Sequence, residues 1–187
     1  MPNLFSFMDK EIKSIVEIFS RYLLIIVLGL GNLYLFYKFL TPITISILDS
    51  ILSLSGESLV IGNSIHFKRV IFEIIPACIA GSAFYLMFIL VFSTREIEFR
   101  KRLTVLLSSF VLLFFFNMSR LVFLVSIVRA SYFEAVHWFL WNFVSVIFVV
   151  GIWVLMVYLF RLKTIPIYSD LKYLFDLIDS GKKSKGR

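Results

Sequence analysis

Four long apolar runs, with few charged residues inside them, limit most strongly how this chain folds. They cover residues 21–40, 74–92, 103–128 and 137–160. A helix needs roughly 20 apolar residues to cross about 30 Å of hydrocarbon, and each run comes close to that length or exceeds it. The composition agrees, since 60% of the residues are hydrophobic against roughly 45–50% in soluble domains. The sequence therefore predicts an all-α integral membrane protein, a four-helix bundle in which residues 1–187 form one membrane domain.

The positions of the basic residues predict how the bundle is oriented. With the N-terminus inside, 14 of the 19 Lys and Arg residues fall on the cytoplasmic side: three up to the start of the first run, four between the second and third, and seven after the fourth. Cytoplasmic loops are enriched in Lys and Arg. We therefore expect both termini, with the tail of residues 161–187, in the cytoplasm. This distribution accounts for the net charge of +7, so nucleic acid is not an expected partner.

Residues 43–59 mix apolar residues with Asp49, Glu57 and several Ser. Their apolar positions recur at helical spacing, at Ile43, Ile47, Leu48, Ile51 and Leu52. This pattern is typical of a helix that lies in the membrane interface. A fifth span is disfavoured, because it would put the N-terminus or the basic tail outside.

Two further segments carry short-range signals. Two β-prone stretches flank residues 62–64, with the sequence GNS, and predict a small extracytoplasmic hairpin between the first two spans. Residues 169–178 have the pattern of a short amphipathic helix. The basic end of the chain, residues 181–187, is expected to be disordered near anionic lipid.

Arg120 is the most unusual residue of the apolar runs. A mid-membrane Arg costs about 2.5–3.5 kcal/mol even on lenient insertion scales, so it is expected to face a protein interior and to have a partner. It lies 17 residues beyond the start of the third run, or about 25 Å towards the outer face. Asn117 is on the same helical face and is a candidate partner. The alternative is that Arg120 extends to the interface without any functional role.

Cys78 and His137 share this outer depth. Cys78 is the only cysteine and lies 14 residues from the inner end of the second run, or about 21 Å, while His137 opens the fourth run. A thiol, an imidazole and a guanidinium at one level provide a nucleophile, a base and a charge stabiliser. Each also has a purely structural explanation, since free Cys is often a small buried hydrophobe and His137 adjoins interfacial Trp residues.

The sequence around these residues resembles the exosortase/archaeosortase family. Residues 76–82, PACIAGS, are similar to its cysteine motif, and residues 117–120, NMSR, to its Asn-x-x-Arg motif on the following helix. His137 matches the third position of the family pattern. The resemblance covers roughly residues 59–160. The Ala-Cys-x-x-Gly-Ser pattern of residues 77–82 resembles the archaeal branch of the family more than its other members.

The resemblance implies a membrane cysteine transpeptidase. Such enzymes cleave exported proteins whose C-terminal tails hold a short motif, a transmembrane helix and a basic cluster, and transfer the new C-terminus to a membrane acceptor such as a lipid. Cys78 would be the nucleophile, His137 the general acid and base, Arg120 the stabiliser of the thiolate or oxyanion, and Asn117 a supporting residue. No cofactor or metal is expected, because the sequence has no metal-ligand cluster and no glycine-rich phosphate loop.

Two other functions stay open at this stage. The same residues would also serve a membrane cysteine protease that releases its substrate by hydrolysis. A non-catalytic membrane protein, such as a small transporter or an assembly factor, would instead use Arg120 to bind an anion and Cys78 only for packing.

Overall fold

A computed structural model describes residues 4–31, 33–95, 97–162 and 166–185, with side chains described from residue 12 to residue 177 within those ranges. The fold is mostly helical, at 75%. Three helices are long and apolar enough to cross a membrane, at Tyr34–Ser53, Phe99–Ile127 and Phe133–Leu159, and a shorter apolar helix spans Gly81–Phe92. The predicted class, a helical membrane protein, is confirmed at this level.

The elements follow one another in a simple order. Two helices precede a small sheet, and helices form the rest of the described chain. They are α1 (Leu4–Leu30), α2 (Tyr34–Ser53), β1 (Ser58–Ile61), β2 (Ser64–Phe67), β3 (Val70–Glu73), α3 (Pro76–Ile79), α4 (Gly81–Phe92), α5 (Phe99–Ile127), α6 (Phe133–Phe139), a π-helical turn (Leu140–Val144), α7 (Ser145–Leu159) and α8 (Tyr168–Lys185).

The prediction of one helix over residues 21–40 is wrong. Helix α1 ends at Leu30 and α2 begins at Tyr34, with Leu33 between them in the left-handed region at φ 59°. The break follows Gly29 and Gly31, and glycine is about 1 kcal/mol less favourable than alanine inside a helix. Ten residues of the predicted first span therefore belong to α1 and seven to α2.

The separate interfacial helix predicted within residues 43–59 is also wrong. Helix α2 continues from Tyr34 through Pro42 to Ser53, so residues 43–53 are its second half. Of the predicted apolar face, Leu48 and Leu52 are buried, whereas the three isoleucines at 43, 47 and 51 are exposed. Burial here follows packing against the sheet, which helical periodicity alone does not reveal.

The predicted hairpin is confirmed and is part of a larger sheet. Strands β1, β2 and β3 pair antiparallel in chain order, and Gly62–Asn63 form the first turn, with Gly62 at φ 62°. Strand β3 is absent from the sequence prediction, because the second turn consists of Lys68 and Arg69, both at positive φ. Tight hairpin turns of this kind usually signal themselves through Asn and Gly.

The second predicted span is interrupted, and the other two are helical over nearly their whole lengths. Residues 74–92 form the single turn α3 and then α4, with Ala80 in the left-handed region at φ 55° between them. Helix α5 begins four residues before the predicted start of the third span. The fourth span is helical from Phe133 to Leu159 and contains the π-helical turn.

Two apolar clusters form the core, and Leu40 and Phe114 pack against both of them. The larger one joins α1, α4, α5 and α7 around Met87, Val91 and Val105. The smaller one joins α2, the sheet, α3 and α5, and includes Leu48 and Ile65. Both of these side chains are completely buried. The sheet therefore closes one end of the bundle, which we call the sheet end.

The opposite end is closed by helix α8 and a buried ion pair. Arg21 of α1 donates to both carboxylate oxygens of Asp170 at 2.9 and 3.1 Å, and also to the Phe92 and Thr94 carbonyl oxygens. Arg21 and Asp170 are 5% and 1% exposed. Helix α8 begins as predicted but extends to Lys185, so the basic stretch expected to be disordered is helical as far as that residue. Helix propagation beyond a formed nucleus explains the extension.

The Arg21–Asp170 pair predicts a large loss of stability when only one charge is removed. Asp170→Asn leaves the buried guanidinium with only the exposed Glu17 carboxylate, 3.9 Å from its Nε, and removing one partner of a buried pair typically costs about 3–5 kcal/mol. Denaturant unfolding of the detergent-solubilised protein measures this change. Asp176→Asn is the matched control, because Asp176 is an exposed carboxylate on the same helix. Equal stability of the two variants would contradict the assigned role of the pair.

Candidate functional site

Cys78 lies on a single helical turn that is separated from the long helix after it. Ile75 is extended and Pro76 occupies the first turn of α3, a position where the missing N–H of proline is not needed. The Cys78 N–H donates to the Ile75 carbonyl oxygen at 2.8 Å. Ala80 then takes a left-handed conformation, which disfavours side chains with a Cβ. The only thiol of the chain therefore lies on a strained, irregular segment.

Two side chains of α5 bind the carbonyl groups of this turn. Asn117 donates to the Cys78 carbonyl oxygen at 2.9 Å, and Arg120 donates through Nη2 to the Ala77 carbonyl oxygen at 3.0 Å. A helix break leaves carbonyl groups without intrahelical partners, and such groups are costly in an apolar environment. The Asn-x-x-Arg spacing places both donors on one face of α5, and together they hold the turn.

Arg120 is buried and keeps one donor free. It is 8% exposed, and Nη1 donates to the Ser145 hydroxyl at 2.8 Å. Its Nε has no hydrogen-bond partner. The ion pairs found among the described side chains belong to Arg21 and Arg102, not to Arg120. Its Nη2 donates to the carbonyl oxygen of Ala77, the residue that precedes Cys78. The arrangement is a buried cation without a carboxylate partner, next to a thiol.

A cavity of about 340 Å³ opens beside Arg120. Helices α2, α3, α4 and α7 supply most of its wall, and the guanidinium is its charged group. The other lining residues are Tyr37, Pro76, Ala77, Ala80, Ser82, Ala83, Leu86, Trp141, Ser145, Val146 and Val149. The polar wall is formed on one side by the Cys78 turn and on the other by Ser145. The cavity is therefore apolar overall, with a single fixed positive charge.

The Cys78 side chain lies at the edge of this arrangement. It is half-buried and packs against the smaller core cluster, which includes Ile79, Met118 and Leu121. Its neighbours Pro76 and Ala77 line the cavity, whereas the thiol itself is not among the lining groups. A reactant in the cavity would thus approach the backbone of the turn before the sulfur.

His137 lies on α6 and stacks on Phe133, with ring centroids 5.7 Å apart. No described hydrogen bond joins its imidazole to Cys78 or Arg120, and it is absent from the described cavity wall. Ser145, which does contact Arg120, is eight residues further along the same helical segment, or about 12 Å. The structure therefore brings together Cys78, Asn117 and Arg120, and His137 lies about two helical turns before Ser145.

Three residues at this site did not emerge from the sequence. Ser145 accepts from Arg120 and donates to the Leu140 carbonyl oxygen at 3.1 Å, inside the π-helical turn. Tyr37 and Trp141 form part of the cavity wall. Ser145 could have been noticed, because it is a polar residue inside the fourth apolar run. Tyr37 could not be found, because its helix was predicted with the wrong boundaries.

Comparison with known proteins gives no relationship for this chain: no protein-family model, curated protein or solved structure matches it.

Gly81 controls the shape of the cavity. A Cβ on Gly81 would lie 2.7 Å from the Tyr37 ring, whereas one on Gly151 would meet nothing within 4 Å. Gly81→Ala is expected to displace the ring and to lower stability by about 1–3 kcal/mol, as overpacking does. Gly151→Ala, the matched control in α7, should be neutral or stabilising by up to about 1 kcal/mol. Thermal unfolding in detergent compares the two, and equal melting temperatures would contradict the assignment.

Proposed function

We propose that this protein is a membrane-embedded cysteine transpeptidase of the exosortase/archaeosortase type. It cleaves C-terminal tails made of a short motif, a transmembrane helix and a basic cluster, and passes the new C-terminus to a membrane acceptor such as a lipid. The observation that carries the proposal is the buried Arg120, which binds the turn of the only cysteine, has no carboxylate partner and keeps Nε free. The motif resemblance at residues 76–82 and 117–120 supplies the reaction class.

A thiolate at Cys78 is the natural counter-ion for this guanidinium. The thiolate, not the thiol, is the nucleophile, and a nearby cation stabilises it. The free Nε also suits a negatively charged oxygen, and one preorganised donor of that kind is worth roughly 3–4 kcal/mol. In both roles, stabilising the thiolate or the oxyanion, the negative charge would compensate the buried positive charge of Arg120.

The proposed reaction has two halves. In the first, His137 takes the proton of the Cys78 thiol, the sulfur bonds to the scissile carbonyl carbon, the C–N bond breaks, and His137 passes the proton to the leaving amine. This yields a thioester between enzyme and substrate. In the second, an acceptor hydroxyl or amine attacks the thioester carbon, His137 takes its proton, and the C–S bond breaks. No net oxidation or reduction occurs.

The role of His137 requires it to approach the Cys78 turn. It precedes the π-helical turn that joins α6 to α7, and π-helical turns occur frequently at functional sites. Catalytic hydrogen bonds are often long before substrate binds. We propose that a bound tail helix shifts α6 so that the imidazole reaches the sulfur.

The proposed orientation follows the charge distribution. In this proposal, four spans with cytoplasmic termini and an extracytoplasmic sheet end would put the Cys78 turn on the outer side of a cell membrane. The substrate tail, itself a membrane helix with a cytoplasmic basic cluster, would then be held at a fixed depth by the same positive-inside rule. Helix packing in two dimensions would supply alignment of the scissile bond.

Processing of tailed proteins in cells tests the reaction. Cys78→Ala should abolish it, Arg120→Gln should lower its rate about 10²–10³-fold, and His137→Gln about 10²–10⁴-fold. His66→Gln is the control, since His66 lies on β2 in the sheet. Mass spectrometry of the C-termini of host proteins with such tails measures the outcome.

The same experiment separates the alternatives. A modified C-terminus supports transfer, whereas a free carboxylate identifies a protease that hydrolyses its substrate. Unchanged processing with Cys78→Ala would overturn enzyme function at this thiol. It would leave a non-catalytic anion site at Arg120, a reading favoured by the position of the thiol outside the cavity wall.

The reactivity of the single thiol tests the Arg120–Cys78 relationship without a substrate. Because the thiolate is the form that reacts, Arg120→Gln should slow alkylation of the detergent-solubilised protein by N-ethylmaleimide at neutral pH about tenfold. Arg100→Gln is the matched control, an exposed arginine at the other end of α5. The chain has one cysteine, so intact mass reports the reaction directly. Equal rates in the two variants would contradict thiolate stabilisation by Arg120.

A further inference from the structure

A continuous apolar groove follows the seam between α2 and α5. Its inner part, about 710 Å³, is lined by side chains of these two helices, and its outer part, about 410 Å³, also involves the sheet. Both parts are lined by Ile51, Val122 and Ser126, so they form one groove. It has no lining residue in common with the cavity at Arg120.

The outer end of the groove carries positive charge. Lys68 and Arg129 line it there, and Arg69 follows Lys68 in the same turn. Arg129 donates to the Lys68 carbonyl oxygen, which fixes the two basic residues beside each other. The described lining includes no Asp or Glu, and neither cation takes part in the ion pairs of the described side chains.

The backbone that presents these charges is strained. Lys68 and Arg69 form the β2–β3 turn with φ values of 46° and 66°. Asn and Gly take this conformation far more readily than residues with long side chains. Strained backbone persists where the surrounding structure enforces it, and it concentrates at functional sites. Lys68, which lines the mouth of the groove, is therefore a basic residue at a backbone position that Asn or Gly would occupy with less strain.

We propose that this groove binds an anionic phospholipid, with an acyl chain along α2 and α5 and the phosphate against Lys68 and Arg129. The groove runs from Val111 to Ser126 along α5, a rise of about 22 Å. One leaflet contributes about half of the roughly 30 Å hydrocarbon core, so a full acyl chain fits. This site is independent of the reaction proposed at Cys78.

The lining favours a lipid over a polypeptide helix. Membrane helices pack where small residues let their backbones approach closely. The floor of this groove is instead bulky, with Phe114, Phe115 and Phe123 on α5 and Ile47 on α2. A flexible hydrocarbon chain adapts to such a surface, and the cations at the mouth match a phosphate at headgroup depth.

Native mass spectrometry of the full-length protein in detergent tests the headgroup contacts. The probes are phosphatidylglycerol and phosphatidylcholine with identical acyl chains. The unmodified chain should retain phosphatidylglycerol at least fivefold better, because each basic residue near an anionic lipid contributes about fivefold. Lys68→Gln combined with Arg129→Gln should remove this preference, whereas Lys68→Arg combined with Arg129→Lys should keep it. An unchanged preference in the neutral variant would overturn the site.

A second pair of variants tests the groove itself. Ser126→Trp places an indole in the groove and should reduce retention of both lipids several-fold. Thr104→Trp is the matched control, because Thr104 is an exposed hydroxyl residue of α5 that also bonds its own helix backbone. If Ser126→Trp retains lipid as well as Thr104→Trp does, no acyl chain occupies the groove. A polypeptide helix would then be the remaining occupant, and the lipid site would be overturned.

Discussion

The hydrogen bonds from α5 to the Cys78 turn are the interaction on which the sheet-end half of the molecule depends. A helix interrupted within an apolar environment exposes carbonyl groups that no water can satisfy. Asn117 and Arg120 reach two of these groups, so the break at Ala80 becomes tolerable only because a neighbouring helix carries donors at that level. The sheet, α2 and the cavity wall all pack around the turn held in this way.

The same bonds explain why a charged residue lies inside an apolar run. A lone Arg in a membrane is energetically costly. In Arg120, Nη1 and Nη2 each donate to a polar partner, whereas Nε has no hydrogen-bond partner. The structural role of Arg120 and its proposed chemical role thus belong to the same side chain. Replacing it affects the geometry of the turn as well as any charge stabilisation, which is why thiol reactivity is more informative than stability alone.

Much of the helical framework could be predicted from hydropathy, and the site only in part. The period and length of the apolar runs locate α5 and the helix from Phe133 to Leu159, since burial in lipid is a bulk property of composition. Helix breaks at Leu33 and Ala80 depend on local backbone energies of about 1 kcal/mol, which composition does not reveal. Motif spacing paired Asn117 and Arg120 with Cys78, but the separation of His137 from them depends on how α6 packs.

The Arg21–Asp170 pair has a consequence for the order in which the chain assembles. Its two members are 149 residues apart, and every apolar helix lies between α1 and α8. During synthesis, Asp170 is added 149 residues after Arg21. Until then the exposed Glu17 of the same helix, 3.9 Å from Nε, is the described carboxylate that pairs with Arg21, so the buried packing of α1 against α4 is completed only when α8 docks. Docking of α8 therefore completes the bundle after the apolar helices that precede it have been made.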